Sequence, residues 1–259
     1  MTLPEQEVLR LKQAVTGRSG TELILHPELS VDEKRRFDEF AARRVAGEPL
    51  QYLEGTVAFG PIELRVDPRA LIPRPETEQL FELACGLVEE PGVIVDLCTG
   101  SGNLALALQH TFPDAEVYAT DISAAAVSLA QENATALGLD IEVLEGDIFA
   151  PLPPGLRGTV DLLVANPPYV ADGDPLPAVV VDHEPAAALF AGRDGLAVIR
   201  RIADEAGEWL APGGVVVCEI GATQGVFATH LFASLGGHVE RDLADRDRFV
   251  VGVQARSNE

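Results

Sequence analysis

Four consecutive residues, Asn166-Pro167-Pro168-Tyr169, combine types that suit one awkward piece of chemistry. A carboxamide nitrogen attacks electrophiles poorly because its lone pair is delocalised, so its N–H groups must be gripped to aim that pair at a target. The side-chain carbonyl of Asn166 and the main-chain carbonyl of Pro167 offer one acceptor each. A residue before proline is pushed toward extended backbone and proline has no N–H, so the segment is stiff and rich in acceptors. As such a nitrogen bonds to the methyl of a sulfonium it gains positive charge, which these oxygens stabilise in a preorganised, partly dry site. The Tyr169 ring gives the flat amide a face to lie against, with cation–π help as charge develops. Taken in isolation, the four residues could equally be a structural turn after a strand.

A second constellation is the run Asp96-Leu97-Cys98-Thr99-Gly100-Ser101-Gly102-Asn103, which joins an apolar strand to a helix. In doubly wound sheets such loops lie at the carboxyl ends of strands, where ligands bind. Gly100 and Gly102 allow close backbone approach, and with Ala105 the run also fits the dinucleotide fingerprint G-x-G-x-x-A. Asp121 ends the next strand, about 20 residues beyond the last glycine, where a carboxylate followed by Ile122 suits the two hydroxyls of an adenosine ribose. NAD and S-adenosylmethionine both carry that nucleoside. Asp96 tilts the choice, because a carboxylate beside the loop could hold the ammonium of a methionine moiety, directly or through water, and would repel a pyrophosphate. The next strand end, Glu145-Gly146-Asp147-Ile148-Phe149, brings Asp147 toward an adenine amino group and Ile148 toward its ring. Asp147 read alone is equally a cap or turn residue.

The elements that must position these loops follow from periodicity. Val93–Leu97, Glu116–Thr120, Ile141–Leu144, Asp161–Ala165 and Gly214–Ile220 read as strands, alternating with helices over Glu76–Glu89, Asn103–His110, Ser123–Leu137 and Gly195–Leu210. This is the rhythm of a parallel sheet covered on both faces. Two closing strands are expected near Gly237–Glu240 and Arg248–Val253. Residues before Gly47 read as short amphipathic helices, one carrying Val8, Leu11 and Val15, another capped by Ser30 with Glu33. The punctuated stretch Gly47–Pro75 reads as an extended hairpin and linker. The expected organisation is therefore a helical N-terminal domain over 1–46, a hairpin and linker over 47–75, and a catalytic domain over 76–259.

Composition narrows the class. Nineteen Lys and Arg against 41 Asp and Glu give 259 residues a net charge of −22, which disfavours a duplex-binding surface built on phosphate contacts. No apolar run approaches the roughly 18 residues of a membrane span, and the acidic start Met1-Thr2-Leu3-Pro4-Glu5 is unlike a secretory signal. A cytoplasmic protein that contacts no membrane is expected. Cys85, Cys98 and Cys218 are odd in number and widely spaced, so reduced thiols are expected rather than a disulfide framework or a zinc site. The histidines lack ligand-like spacing, so no metal site is expected, and Trp209 reads as core packing.

Together, Leu71-Ile72-Pro73-Arg74-Pro75-Glu76-Thr77-Glu78, Asp96–Gly102, Asn166–Tyr169, and Glu184-Pro185 followed by Gly192-Arg193-Asp194-Gly195-Leu196 resemble the HemK/PrmC family. Its members are S-adenosylmethionine-dependent methyltransferases acting on the glutamine of the Gly-Gly-Gln motif of peptide chain release factors. The resemblance runs from about Gly47 to Val253. It implies an α/β fold, a Rossmann-like, mostly parallel seven-strand methyltransferase sheet behind a small helical N-terminal domain that helps bind the release factor. It also implies cofactor contacts at Cys98, Thr99, Gly100, Ser101, Gly102, Asp121, Ile148 and Asn166, with Asn166, Pro167, Pro168 and Tyr169 receiving the glutamine. Two departures stand out: Cys98 replaces a glycine common among relatives, which is without cost only if φ there is negative, and the helical segment before Gly47 is short.

The catalytic candidates are thus Asn166, Pro167 and Tyr169. Asp96, Ile122 and Asp147 join the cofactor candidates, and Glu184 is a candidate for the substrate groove. Arg74 and Glu76 are peripheral, closing over the cofactor or pairing with each other. The products would be N-methylglutamine and S-adenosylhomocysteine, and a monomer is expected. The alternatives are a nucleic-acid adenine amino-methyltransferase, which faces the same conjugated-amine problem and needs base flipping, a non-catalytic cofactor-binding or interaction module, and a dehydrogenase using NAD.

Overall fold

The computed structural model describes residues 3–256; Met1, Thr2 and residues 257–259, at the outer edges of the two expected domains, lie outside it. The chain opens with four helices, α1 (Glu5–Thr16), α2 (Gly20–Leu25), α3 (Val31–Val45) and α4 (Leu50–Glu54). Capping boxes start α2 and α3: the Ser19 and Ser30 hydroxyls accept from the N–H of Glu22 and Glu33, whose carboxylates accept from the serine N–H in return. Leu11, Leu50 and Leu53 form a small core with Phe37 and Phe40 against it. The helical unit therefore continues past Gly47, where the sequence reads as extended chain. A five-residue helix carries too little periodicity to be read, and α4 is stabilised by packing on α1 rather than by propensity.

A hairpin follows, β1 (Thr56–Phe59) and β2 (Ile62–Arg65), turning at Gly60-Pro61 with Phe59 opposite Ile62. Fully buried Phe59 packs against Phe81 of α5 (Pro75–Leu87), with ring centroids 6.2 Å apart, so the hairpin is anchored to the sheet domain. Pro75 occupies the first turn of α5, where its missing N–H removes no helical hydrogen bond.

From there the chain alternates as β3 (Val93–Leu97), α6 (Asn103–Thr111), β4 (Glu116–Asp121), α7 (Ala124–Leu137), β5 (Glu142–Glu145), β6 (Val160–Ala165), α8 (Ala178–His183), α9 (Ala197–Trp209), β7 (Leu210–Glu219), α10 (Gly225–Leu231), β8 (His238–Arg241) and β9 (Asp247–Val253). The seven strands pair in the order β5-β4-β3-β6-β7-β9-β8, and only β9 runs antiparallel to its neighbours. Side chains alternate between two apolar layers: Ile94 and Val164 enter one, while Val95, Leu97, Leu163 and Ala165 enter the other. Phe149 and Trp209 stack within the second layer at 5.5 Å, in keeping with the packing role expected of the tryptophan. Helices α8 and α10, at six and seven residues, are further elements too short for the sequence pattern to disclose. Among the described residues no helix is long and apolar enough to cross a membrane.

The chain builds outward from β3 to β5, then crosses back to β6 on the other side of β3, which makes a switch point at the carboxyl ends of β3 and β6. The glycine loop is held there by buried Asn133 of α7. Its Nδ2 donates to the carbonyls of Ser101 (2.9 Å) and Arg65 (3.1 Å), and its Oδ1 accepts from the Arg65 N–H, tying loop, hairpin and helix together. Gly102, with φ +84°, leads into α6, and a Cβ there would lie 3.1 Å from both Ala130 Cβ and Leu106 Cδ1. Gly102→Ala is accordingly expected to lower stability by roughly 1–3 kcal/mol through left-handed strain and overpacking, read as a shifted midpoint in urea unfolding.

Candidate active site

A cleft of about 370 Å³ opens at the switch point, within the roughly 300–1,000 Å³ of small-molecule sites. Its walls include Cys98, Thr99 and Gly100 after β3, Asp121 and Ile122 after β4, Asp147 and Ile148 after β5, and Asn166 and Pro168 after β6. Leu71, Pro73, Ala188, Phe190 and Val198 add apolar surface. The sequence-predicted residues of four separate loops thus meet in one space because the parallel strands all end on the same side.

Asp121 is held as an acceptor. Its Oδ2 accepts from Gly100 N–H and its Oδ1 from Ser123 N–H, both at 2.9 Å, and each oxygen keeps a further lone pair. Burial raises its pKa, and the hydrogen bonds from Ser123 and Gly100 offset this only in part. Asp96 sits differently from the expectation. It is fully buried behind the glycine loop, with Oδ2 accepting from Thr99 Oγ1 (2.6 Å) and Ala105 N–H (3.2 Å), while Oδ1 is buried without a partner. Desolvation pushes its pKa up to about 7. It presents no surface to the cleft, so its charge acts on a ligand only through the loop. Ser101 and Gly102 likewise support the loop from behind, Ser101 through its carbonyl and Gly102 as the residue that starts α6.

Cys98 has φ +60°. The condition for a cost-free replacement of glycine is not met: the left-handed region costs an L-residue roughly 1–2 kcal/mol, and the loop carries that strain at the cleft wall. Ile148 shares it at φ +53°. Asp147 lines the cleft, but its carboxylate is engaged by Arg201 in a two-point ion pair at 2.8 and 2.9 Å, an anchor for the third loop that the sequence did not disclose.

Asn166 lies on the cleft wall with its Nδ2 donating to Thr77 Oγ1 at 3.0 Å. Thr77 donates to Glu219 Oε2 at 2.9 Å, and the Tyr169 hydroxyl donates to Glu219 Oε1 at 3.2 Å. Pro168 lines the cleft, Pro167 is buried next to it, and Tyr169 is partly buried against the second apolar layer. The Tyr169 carbonyl accepts from Gln224 Nε2 at 2.9 Å, and Val170 bridges to the segment after α8. Glu219 is 1 % exposed, and burial pushes its pKa up to about 7. Thr77 and Glu219 are the members of this cluster that sequence reasoning passed over. Thr77 lay inside the Pro-Arg-Pro-Glu-Thr-Glu run. Glu219 carried the same signal as Asp96 and Asp121, an acid at the end of an apolar strand.

Arg74 and Glu76 do not pair with each other. Arg74 Nη2 meets Glu184 Oε1 at 2.5 Å, and Glu184 Oε2 accepts from Ile72 N–H at 3.3 Å, so the segment Ile72–Arg74 is clamped to the residue following α8. Glu76 instead reaches Arg246 at 3.3 Å. Neither pair lines the cleft; the first braces the wall that Leu71 and Pro73 provide.

A profile described as "PrmC N-terminal domain" matches residues 2–55 and one described as "Methyltransferase small domain" matches residues 81–184. The protein named release factor glutamine methyltransferase in Mycolicibacterium smegmatis is 43% identical, over 93% of this chain and 92% of its own length. Its namesake in Deinococcus radiodurans is 41% identical over 95% and 90%. Among solved structures, a methyltransferase from Pyrococcus furiosus superposes with a TM-score of 0.56 at 18% identity, over 74% of this chain and 88% of its own. With such identity over nearly the whole length, and both profiles matched, the chain belongs to the family of release factor glutamine methyltransferases.

Proposed function

We propose that this protein transfers the methyl group of S-adenosylmethionine to the side-chain amide nitrogen of the glutamine in the Gly-Gly-Gln motif of a peptide chain release factor. The observation that carries this reading is Asn166 on the cleft wall with its Nδ2 already committed to Thr77, which leaves its carbonyl oxygen free beside a nucleoside-sized space. The residues present suit the cofactor. Asp121 has spare lone pairs for a ribose diol, Gly100 lets the backbone approach, and Ile122 and Ile148 offer apolar surface for a base. Asp121 is a carboxylate on the cleft wall that no arginine among the described residues pairs with, and a carboxylate so placed favours a cationic sulfonium over a pyrophosphate, which disfavours NAD.

When bound, S-adenosylmethionine supplies an electrophilic methyl carbon: a C–N bond forms, the C–S bond breaks with its electron pair passing to sulfur, and the surplus amide proton leaves to solvent. The chain's own contribution is orientation. Asn166 Oδ1 and the Pro167 carbonyl each accept one N–H of the glutamine, which turns its lone pair toward the methyl and stabilises the positive charge growing on nitrogen. No residue needs to act as a strong base. Tyr169, tethered to Glu219, holds the far end of the loop in register.

On this reading the helices before the hairpin contribute to release factor contact, and the hairpin with the clamped segment Ile72–Arg74 joins them to the methyltransferase domain. The enzyme works as a cytoplasmic monomer without direct nucleic-acid contact, a surface with net charge −22 being poorly suited to phosphates.

Mass spectrometry of a release factor incubated with enzyme and cofactor is expected to find one added methyl on the Gly-Gly-Gln glutamine; methylation of DNA in its place would overturn the reading. Asn166→Ala should lower kcat on the order of 10²- to 10³-fold, as loss of an aligning group in a preorganised site does, with cofactor affinity by calorimetry largely kept. Cofactor affinity should also depend on pH in a defined direction. Ribose hydroxyls donate to the Asp121 carboxylate, whose pKa is raised, so binding is full at alkaline pH and is lost as pH falls, starting at less acidic values than for an exposed aspartate. Asp96 acts in the same direction. Asp121→Asn should weaken binding at pH 8 by about tenfold, the worth of one charge-assisted hydrogen bond, and shrink the acid limb.

A further inference from the structure

Glu219 is a buried carboxylate without a hydrogen-bonded cation. The guanidinium whose charge bears on it, Arg248 on β9, spends Nη1 on the Ile220 carbonyl at 3.2 Å and lies with Nε 3.5 Å from Asp242. Taking a charge out of water without a paired partner is costly, and the groups that bind Glu219 directly are two hydroxyls, Thr77 and Tyr169, at either end of the acceptor loop's support. We propose that Glu219 is a positioning residue for the reaction: acting through the Thr77 hydroxyl, it fixes which end of the Asn166 carboxamide faces the cleft. The inference rests on the reading of Asn166 as the acceptor for a glutamine amide.

Proton count sets the direction of these bonds. A carboxylate carries lone pairs and no proton, so both hydroxyls must donate to it. Thr77 has a single O–H, spent on Glu219, and toward Asn166 its oxygen can only accept. Asn166 must then present Nδ2, as it does at 3.0 Å, and its Oδ1 is left for the substrate. A carboxylic acid at position 219 loses this direction. It can donate its own proton to Thr77 Oγ1, freeing the threonine proton for Asn166 Oδ1, and the amide turned over would offer NH₂ to the incoming NH₂. Two donors would face each other and the nitrogen would go unaligned.

The charged groups bearing on Glu219 are Arg248 from β9, which favours the carboxylate, and Glu76 from α5, which opposes it; Asp242 lies beyond Arg248. Desolvation outweighs them, so the carboxylate gives way to the acid as pH falls through about 7. Above that value the chain Glu219–Thr77–Asn166 has one polarity, and below it two.

The test is kcat for methyl transfer to a full-length release factor, at saturating cofactor and substrate, across pH 6 to 9, with affinity for S-adenosylhomocysteine measured by calorimetry alongside. Thr77→Val, close to isosteric but unable to accept or donate, should lose on the order of 10- to 100-fold in kcat, the scale of a small misplacement of a reacting group. Its S-adenosylhomocysteine affinity should be unchanged, because Thr77 does not line the cleft. Thr77→Ser, which keeps the hydroxyl, should restore turnover. The unaltered enzyme should lose kcat as pH falls below about 7, and Glu219→Gln, which cannot titrate, should show no such limb whatever its absolute rate. Wild-type turnover in Thr77→Val, loss of S-adenosylhomocysteine binding in that variant, equal impairment in Thr77→Ser, or an acid limb surviving in Glu219→Gln would each overturn the inference. Failure of the unaltered enzyme to methylate any release factor would instead sink the functional reading beneath it.

Discussion

A carboxamide is nearly symmetric in shape and opposite in hydrogen-bonding sense at its two ends, so an asparagine that must accept from a substrate has to be told which way to face. On the proposed reading the instruction comes from the Asn166 Nδ2 bond to Thr77, which three separate elements hold in place. Strand β6 delivers Asn166 to the cleft, α5 supplies Thr77, and β7 ends at Glu219, with Thr77 bonded to both. Three elements far apart in sequence are thereby required to hold one dihedral. The prolines of Asn166-Pro167-Pro168-Tyr169 stiffen the main chain, and the buried cluster stiffens the side chain.

The other half of the site obeys a different constraint. Four parallel strands end on the same edge, and the space between their loops is small enough that backbone must approach a ligand directly. Left-handed backbone at Cys98 and Gly100 satisfies that need, at a conformational cost borne in part by a non-glycine residue. Asn133 holds the glycine loop from outside the cleft, while Asp121 and the pair Asp147–Arg201 fix the loops from its walls. The sheet, with fully buried residues such as Ile94, Val95, Leu162 and Leu163, is the rigid base on which this strained rim can persist.

Much of this was legible in the residues. Long strands and helices announced themselves because periodicity accumulates over their length, so β3, β4 and β6 and the helices α6, α7 and α9 were read to within a few residues. The loops that meet at the cleft were read from residue types that punish misplacement: glycines flanked by acids, and prolines after an asparagine. What escaped falls into two physical classes. Helices α4, α8 and α10 are too short to show a period and exist through tertiary contact. Partnerships such as Arg74 with Glu184, Asp147 with Arg201 and Thr77 with Glu219 join residues 54 to 142 positions apart, and only the fold decides which of many acids an arginine or hydroxyl meets. Asp96 belongs to the same class: its place at the strand end was plain, and its complete burial behind the loop was not.

Methyl transfer depends on the sense in which Asn166 meets its substrate. A crystal structure of the enzyme with S-adenosylhomocysteine and a release factor carrying its Gly-Gly-Gln loop measures this directly. The glutamine nitrogen is expected within hydrogen-bonding distance of both Asn166 Oδ1 and the Pro167 carbonyl, with the Thr77 and Glu219 contacts preserved. A glutamine nitrogen directed away from Asn166, or an Asn166 amide released from Thr77 in that complex, would contradict it.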